Sequence, residues 1–194
     1  MFPLKFYHEA WLFHQHYIRA DKEMLSLLKQ PANKAAMLVH TLINAILLNT
    51  GIAIATYDVP GFAIFPVILD AVTFFSILLI EAAIYTAARR SGGSGEFWQQ
   101  LRITNIYLTP LFAIFAVAFI ILSLVKLPDI KLGLDLIAFV IVLYANDKKI
   151  RAVHGINNTS LPMVVYTVTT FIAYTVWILV LMSPLIFTLL FASG

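Results

Sequence analysis

Residues 62–88 read FAIFPVILDAVTFFSILLIEAAIYTAA, and this stretch decides the fold. It stays apolar for longer than the roughly 20 residues that carry a helix across a bilayer's hydrocarbon, and formal charge enters only at Asp70 and Glu81. Four more stretches of this kind flank it, at 35–56, 106–125, 132–146 and 161–192. The fourth is short, and the fifth is long enough that Pro184 is expected to kink or end it. The whole chain agrees: of 194 residues, 61% are hydrophobic and 12% charged, with mean hydropathy +0.89. That composition excludes a soluble domain, a disordered chain and a nucleic-acid binder, each of which needs more charge. The expectation is an all-α integral membrane bundle of five transmembrane helices at 35–194, in contact with the lipid bilayer.

Residues 1–34 precede the bundle. Glu9, Arg19, Asp21, Lys22 and Glu23 interrupt them too often for a span, whereas Leu4, Tyr7, Trp11 and Ile18 fall on one helical stripe. A cytoplasmic, interfacial amphipathic segment is expected, lying on headgroups or on the bundle's own ends. No cleavable signal is expected. Lys and Arg set the orientation, because short cytoplasmic loops retain them. Eleven of the 13 fall in the N-terminal segment and the second and fourth loops, and two, Lys126 and Lys131, in the third. The N-terminus is therefore expected in the cytoplasm and Gly194 outside, in a multi-pass protein of the cell membrane. Asn157 and Asn158 open glycosylation sequons, but this topology keeps both inside.

Chemistry is sought first among charged groups within spans, since an Asp at a helix centre costs about 2.5–3.5 kcal/mol on insertion scales. Asp70 and Glu81 are eleven positions apart, which at about 100° per residue returns them to nearly one face, about 16 Å apart along the axis. Asp135, in the fourth span, could join Asp70. These three form the candidate intramembrane polar site, with two uses open. One is a path for protons or a cation. The other, favoured here, is structural: the acids are protonated or bonded to Asn44, Asn49, Tyr85 or Asn105 and hold helices together. On that reading, replacing Asp70 by Asn and Glu81 by Gln preserves the fold.

Other chemistries find little support. The chain has no Cys, which removes disulfides and thiolate ligands. Only His40 falls within an expected span, too few for a bis-His haem, and His8, His14 and His16 lack the i, i+3 or i, i+4 spacing of a metal pair. No phosphate loop, dinucleotide fingerprint, zinc-protease helix or nucleophile elbow occurs. Neither an enzyme nor a cofactor is expected.

Two polar segments remain. In GGSGEFWQQLRITNIYLTP, residues 92–110, Gly92, Gly93 and Gly95 supply a turn, Phe97 and a Gln-containing polar turn follow, then Arg102, and Pro110 should bend the helix. In KKIRAVHGINNTSLP, residues 148–162, His154 and Gly155 fit a cytoplasmic turn, with His154 at the surface or as a cap. The pair, with five spans in this order, resembles the Yip1-domain family of five-span membrane proteins, and the compact chain is similar to its prokaryotic members. The resemblance implies a non-enzymatic adaptor or accessory subunit in membrane organisation, trafficking or a larger membrane complex, with other membrane proteins or a second copy as partner. Eukaryotic members are associated with prenylated small GTPases. This chain lacks their long polar N-terminal region, so a GTPase partner is not expected. The competing class is a small proton- or cation-coupled transporter or channel using Asp70 and Glu81.

Overall fold

The computed structural model describes residues 33–56, 65–125 and 129–191, and every regular element among them is an α-helix. In chain order these are α1 (Lys34–Thr56), α2 (Phe65–Arg90), α3 (Phe97–Val125), α4 (Asp129–His154) and α5 (Ser160–Phe191). Three of them carry segments long and apolar enough to cross a membrane: Phe65–Arg90, Phe97–Ala118 and Ser160–Val180. The described residues are thus all-helical in their regular structure, with three candidate membrane-spanning helices. The expected N-terminal stripe, His8, His14, His16 and the loop at 57–61 lie outside the described residues, as do the side chains of Asp135 and Pro110.

Helix ends follow local chemistry. Asn33 caps α1 through its Oδ1, which accepts from the Ala36 N–H at 3.2 Å. α2 closes on Gly92 at φ 87°. There the Gly93 N–H donates to the Ala88 carbonyl at 2.9 Å and the Gly92 N–H to that of Arg89 at 3.2 Å, the paired bonds of a Schellman motif. α4 ends on Gly155 at φ 67°, whose N–H donates to the Arg151 carbonyl at 3.0 Å. These two glycines hold left-handed backbone that a Cβ disfavours.

Two expectations are corrected here, and one of two alternatives for Pro184 is removed. α3 starts at Phe97 instead of 106, so the polar run Gln99 to Asn105 is helix and not a turn. α4 continues past Asn146 to His154, taking in Lys148, Lys149 and Arg151. Pro184 does not end the last helix, which reaches Phe191.

α1 packs chiefly on α3 and α2, α2 also runs along α5, and α3 meets α4. α3 is therefore central, and residues 101–109 are all buried. One apolar cluster of Met37, Ile77 and Leu101 joins α1, α2 and α3. A second, Ile84, Ala88, Ile150, Ile156 and Tyr166, joins α2, α4 and α5. The third joins α3 to α4 through Ile103, Ile106, Tyr107, Leu108 and Ala145.

Candidate functional site

The end of the bundle where α2 and α4 finish and α3 and α5 begin is tied together by backbone. Ser94 donates its N–H to the carbonyl of His154 at 3.1 Å. The Gly-rich loop can approach this closely only because it lacks side chains: a Cβ on Gly93 would stand 2.8 Å from the Ala88 oxygen and 2.8 Å from the His154 Cβ, and one on Gly95 would collide with the Val153 carbonyl. Tyr85 bridges the two segments, its ring 6.0 Å from that of Phe97 and 5.9 Å from that of His154. The two polar segments singled out in the sequence, some sixty residues apart, are thus neighbours in space.

Beneath this junction Glu81 is buried, and so is Lys149. The Lys149 Nζ lies 2.7 Å from Glu81 Oε1 and 2.9 Å from Oε2, and donates also to Thr104 Oγ1 at 2.8 Å. An ammonium has three donors, and these three acceptors use them all. Gln100 completes the site: its Nε2 donates to Glu81 Oε2 at 2.6 Å and to the Glu81 backbone carbonyl at 2.8 Å. Its Oε1 is left to face His154 Nε2 at 2.8 Å. An amide oxygen only accepts, so that histidine nitrogen carries the proton and Nδ1 carries none. Nδ1 is buried without a hydrogen-bond partner among the described residues. His154 lies past the apolar part of α4. Burial first, then the nearby charges of Lys149 and Arg89, push its pKa down to about 4, so the ring is neutral at pH 7. His154 is 1% exposed, which corrects the expectation of a surface residue or cap: a histidine aimed at a buried amide has no route to solvent.

Asp70 has a different setting. It is half-buried and its Oδ1 accepts from Asn49 Nδ2 at 3.0 Å, the partner among those expected that the structure supplies. Asn49 also donates to Thr73 Oγ1 at 3.0 Å and accepts from Trp177 Nε1 at 3.3 Å, so this group links α1, α2 and α5. A further seam joins α1 to α3. There Asn105 Oδ1 accepts from Asn44 at 2.9 Å and Asn105 Nδ2 donates to the Met37 carbonyl at 3.0 Å, while Thr109 donates to Asn44 Oδ1 at 2.7 Å.

Asp70 and Glu81 therefore share a helix but, among the described residues, no hydrogen-bonding partner. Thr73, Ile77 and Glu81 follow one another at i, i+4 on one face of α2, and the Ile77 turn is filled by Met37 and Leu101. An apolar layer separates the acids. The Asp135 side chain lies outside the described residues. Lys149, Gln100 and Thr104 were not anticipated as members of the site. The signal for Lys149 was present: Val142, Ala145, Asn146, Lys149, Ile150 and Val153 keep a helical stripe running past the first charges of the loop.

Among the described residues no group of three or more His, Asp or Glu side chains could hold a metal ion. No family model matches the chain, and no curated protein or solved structure matches it.

Proposed function

We propose that this chain is a non-enzymatic, Yip1-like multi-pass membrane protein that works as an adaptor or accessory subunit for other membrane proteins, with five spans and its basic end in the cytoplasm. The observation that carries the reading is the exposure of α5. Val164, Val168, Phe171, Ile172, Tyr174 and Leu179 all project away from the bundle, Phe171 with 71% of its surface uncovered. Among the described residues only α2 covers this helix extensively. Along such a helix, lipid and partner helices compete on nearly equal terms, because lipid tails are as apolar as leucine and packing geometry decides.

The polar interior supports the same reading. Its charged pair is neutralised internally, which is the chemistry of a helix lock, whereas a translocation path needs acids that reach water. The transporter alternative would have to carry a proton or cation from Asp70 to Glu81 across the Ile77 layer.

A photoreactive benzoylphenylalanine at Phe171, with one at buried Ile84 as control, tests the proposal in cells. A discrete cross-linked membrane protein at 171 and none at 84 is the expected result. Adducts with lipid alone at 171, together with a proton or cation flux in liposomes that Asp70→Asn abolishes, would replace the adaptor by the transporter.

A further inference from the structure

The tied end of the bundle carries a rim of exposed cations: Lys34, Arg89, Arg90, Lys148 and Arg151. Facing them among the described residues are Glu96 and Asp147, and Asp147 is already held by Arg151 at 2.9 Å. Arg151 is further engaged by the Asn157 carbonyl, and Arg89 by the Gly93 carbonyl at 3.1 Å. Lys34 and Lys148 are placed differently. The Lys34 ammonium stands 5.8 Å from the centre of the Trp98 ring, and that of Lys148 stands 5.5 Å from the centre of Tyr144.

The Lys34 ammonium heads an apolar strip that leaves the rim along its own helix. On α1, Lys34 is followed at every fourth position by Leu38, Leu42 and Ile46, all exposed. On α4, Tyr144 lies one turn below Lys148 and is 58% exposed. A cation at the head of an aromatic ring and an aliphatic track matches a molecule with an anionic head and a hydrocarbon tail. An acidic soluble protein would meet the cations but leave the track unused.

We infer that this rim binds anionic phospholipid at Lys34, the headgroup phosphate on its ammonium and the acyl chain along Leu38, Leu42 and Ile46. This goes beyond the adaptor reading and does not depend on it. Attraction of one lysine to an anionic membrane surface is worth about 1 kcal/mol, which is about fivefold in relative affinity.

Trp98 is the built-in reporter. In a chain with Trp11→Phe and Trp177→Phe, its fluorescence is measured in vesicles of brominated phosphatidylserine or brominated phosphatidylcholine, whose bromines quench on contact. Preferential quenching by the serine lipid is expected, equivalent to about fivefold tighter binding, falling to parity with Lys34→Gln and retained with Lys34→Arg. A second chain keeping only Trp177, which lies beside Asn49 away from the rim, should show parity throughout. Parity at Trp98, a preference indifferent to Lys34→Gln, or an equal preference at Trp177 would each overturn the inference. Retention with Lys34→Arg separates loss of charge from loss of fold.

Discussion

With all three Lys149 donors occupied and the Glu81 carboxylate reached by Lys149 and Gln100, neither partner can be removed without stranding the other away from water. A stranded buried charge costs about 3–5 kcal/mol, whereas replacing both members by apolar groups of similar volume is often neutral. Lys149→Met should therefore lower the melting temperature in detergent sharply, and Glu81→Leu combined with Lys149→Met should recover most of the loss. A double substitution no better than the single one would refute the lock. The same geometry revises the expectation that Glu81→Gln preserves the fold, since a Gln leaves the ammonium without a counter-charge. His154 gives a separate, pH-dependent signature. Its pKa is about 6.5 in the unfolded chain and about 4 in the fold, so between those values the unfolded state binds the extra proton and stability falls as pH falls. Asp147, part-exposed near the end of α4, is shifted below its ordinary value chiefly by its hydrogen bond from Arg151. Its contribution is lost only under more acid conditions, as pH falls from about 3.8. Melting temperature followed from pH 7 to pH 4 should drop more steeply for the wild type than for His154→Gln, whose amide can still donate to Gln100. Parallel slopes would show that His154 is not held neutral.

At the scale of the helix, the α2–α3 loop and the end of α4 behave as one joint, and its glycines have unequal duties. Gly95→Ala drives a methyl into the Val153 backbone, which cannot yield as a side-chain tip could; overpacking of this kind costs about 1–3 kcal/mol. Gly92→Ala meets open space and pays only for its positive φ, about 1–2 kcal/mol. Thermal unfolding should rank Gly95→Ala as the more damaging, and the reverse order would mean that the loop does not seat on α4. This joint also explains which parts of the fold could be read from the chain. Long apolar runs announced α2 and α5, because a helix with most of its sides exposed needs few polar positions, and on α2 charge enters only at Asp70 and Glu81 before the closing arginines. α3 was misjudged at its start for the opposite reason. Gln100, Thr104 and Asn105 look like loop residues until their partners on other helices are known, and burial at the centre of a bundle makes polar helix positions useful. The end of α4 was lost to the same effect: Lys149 counted as a loop cation when it is an interior one. Glu81 and Asp70 were legible as expensive residues, but their partners were not, because Lys149 is 68 positions from Glu81 and Asn49 is 21 from Asp70.

For the molecule as a whole, the orientation proposed from cation placement can be tested because the chain has no cysteine. Ser94 and Asn158 are exposed on the two loops of the tied end. A cysteine at either should react with a membrane-impermeant maleimide only after the cells are permeabilised, and the two should always agree. Reaction of either in intact cells would reverse the topology, and disagreement would break the joint. The distance in sequence between Glu81 and Lys149 also orders events in time. A chain emerges from the ribosome at about 5–20 residues per second, so the carboxylate is made about 3–14 s before its ammonium. Gln100 arrives only 19 positions after Glu81 and is the first companion the acid meets. During biogenesis the nascent protein therefore passes through a stage in which α2 and α3 exist with the acid lacking its counter-charge. A nascent chain arrested before residue 149 should then be a preferred substrate for the insertion machinery's holding factors and for membrane quality control, and synthesis of the last turn of α4 should be the moment of release.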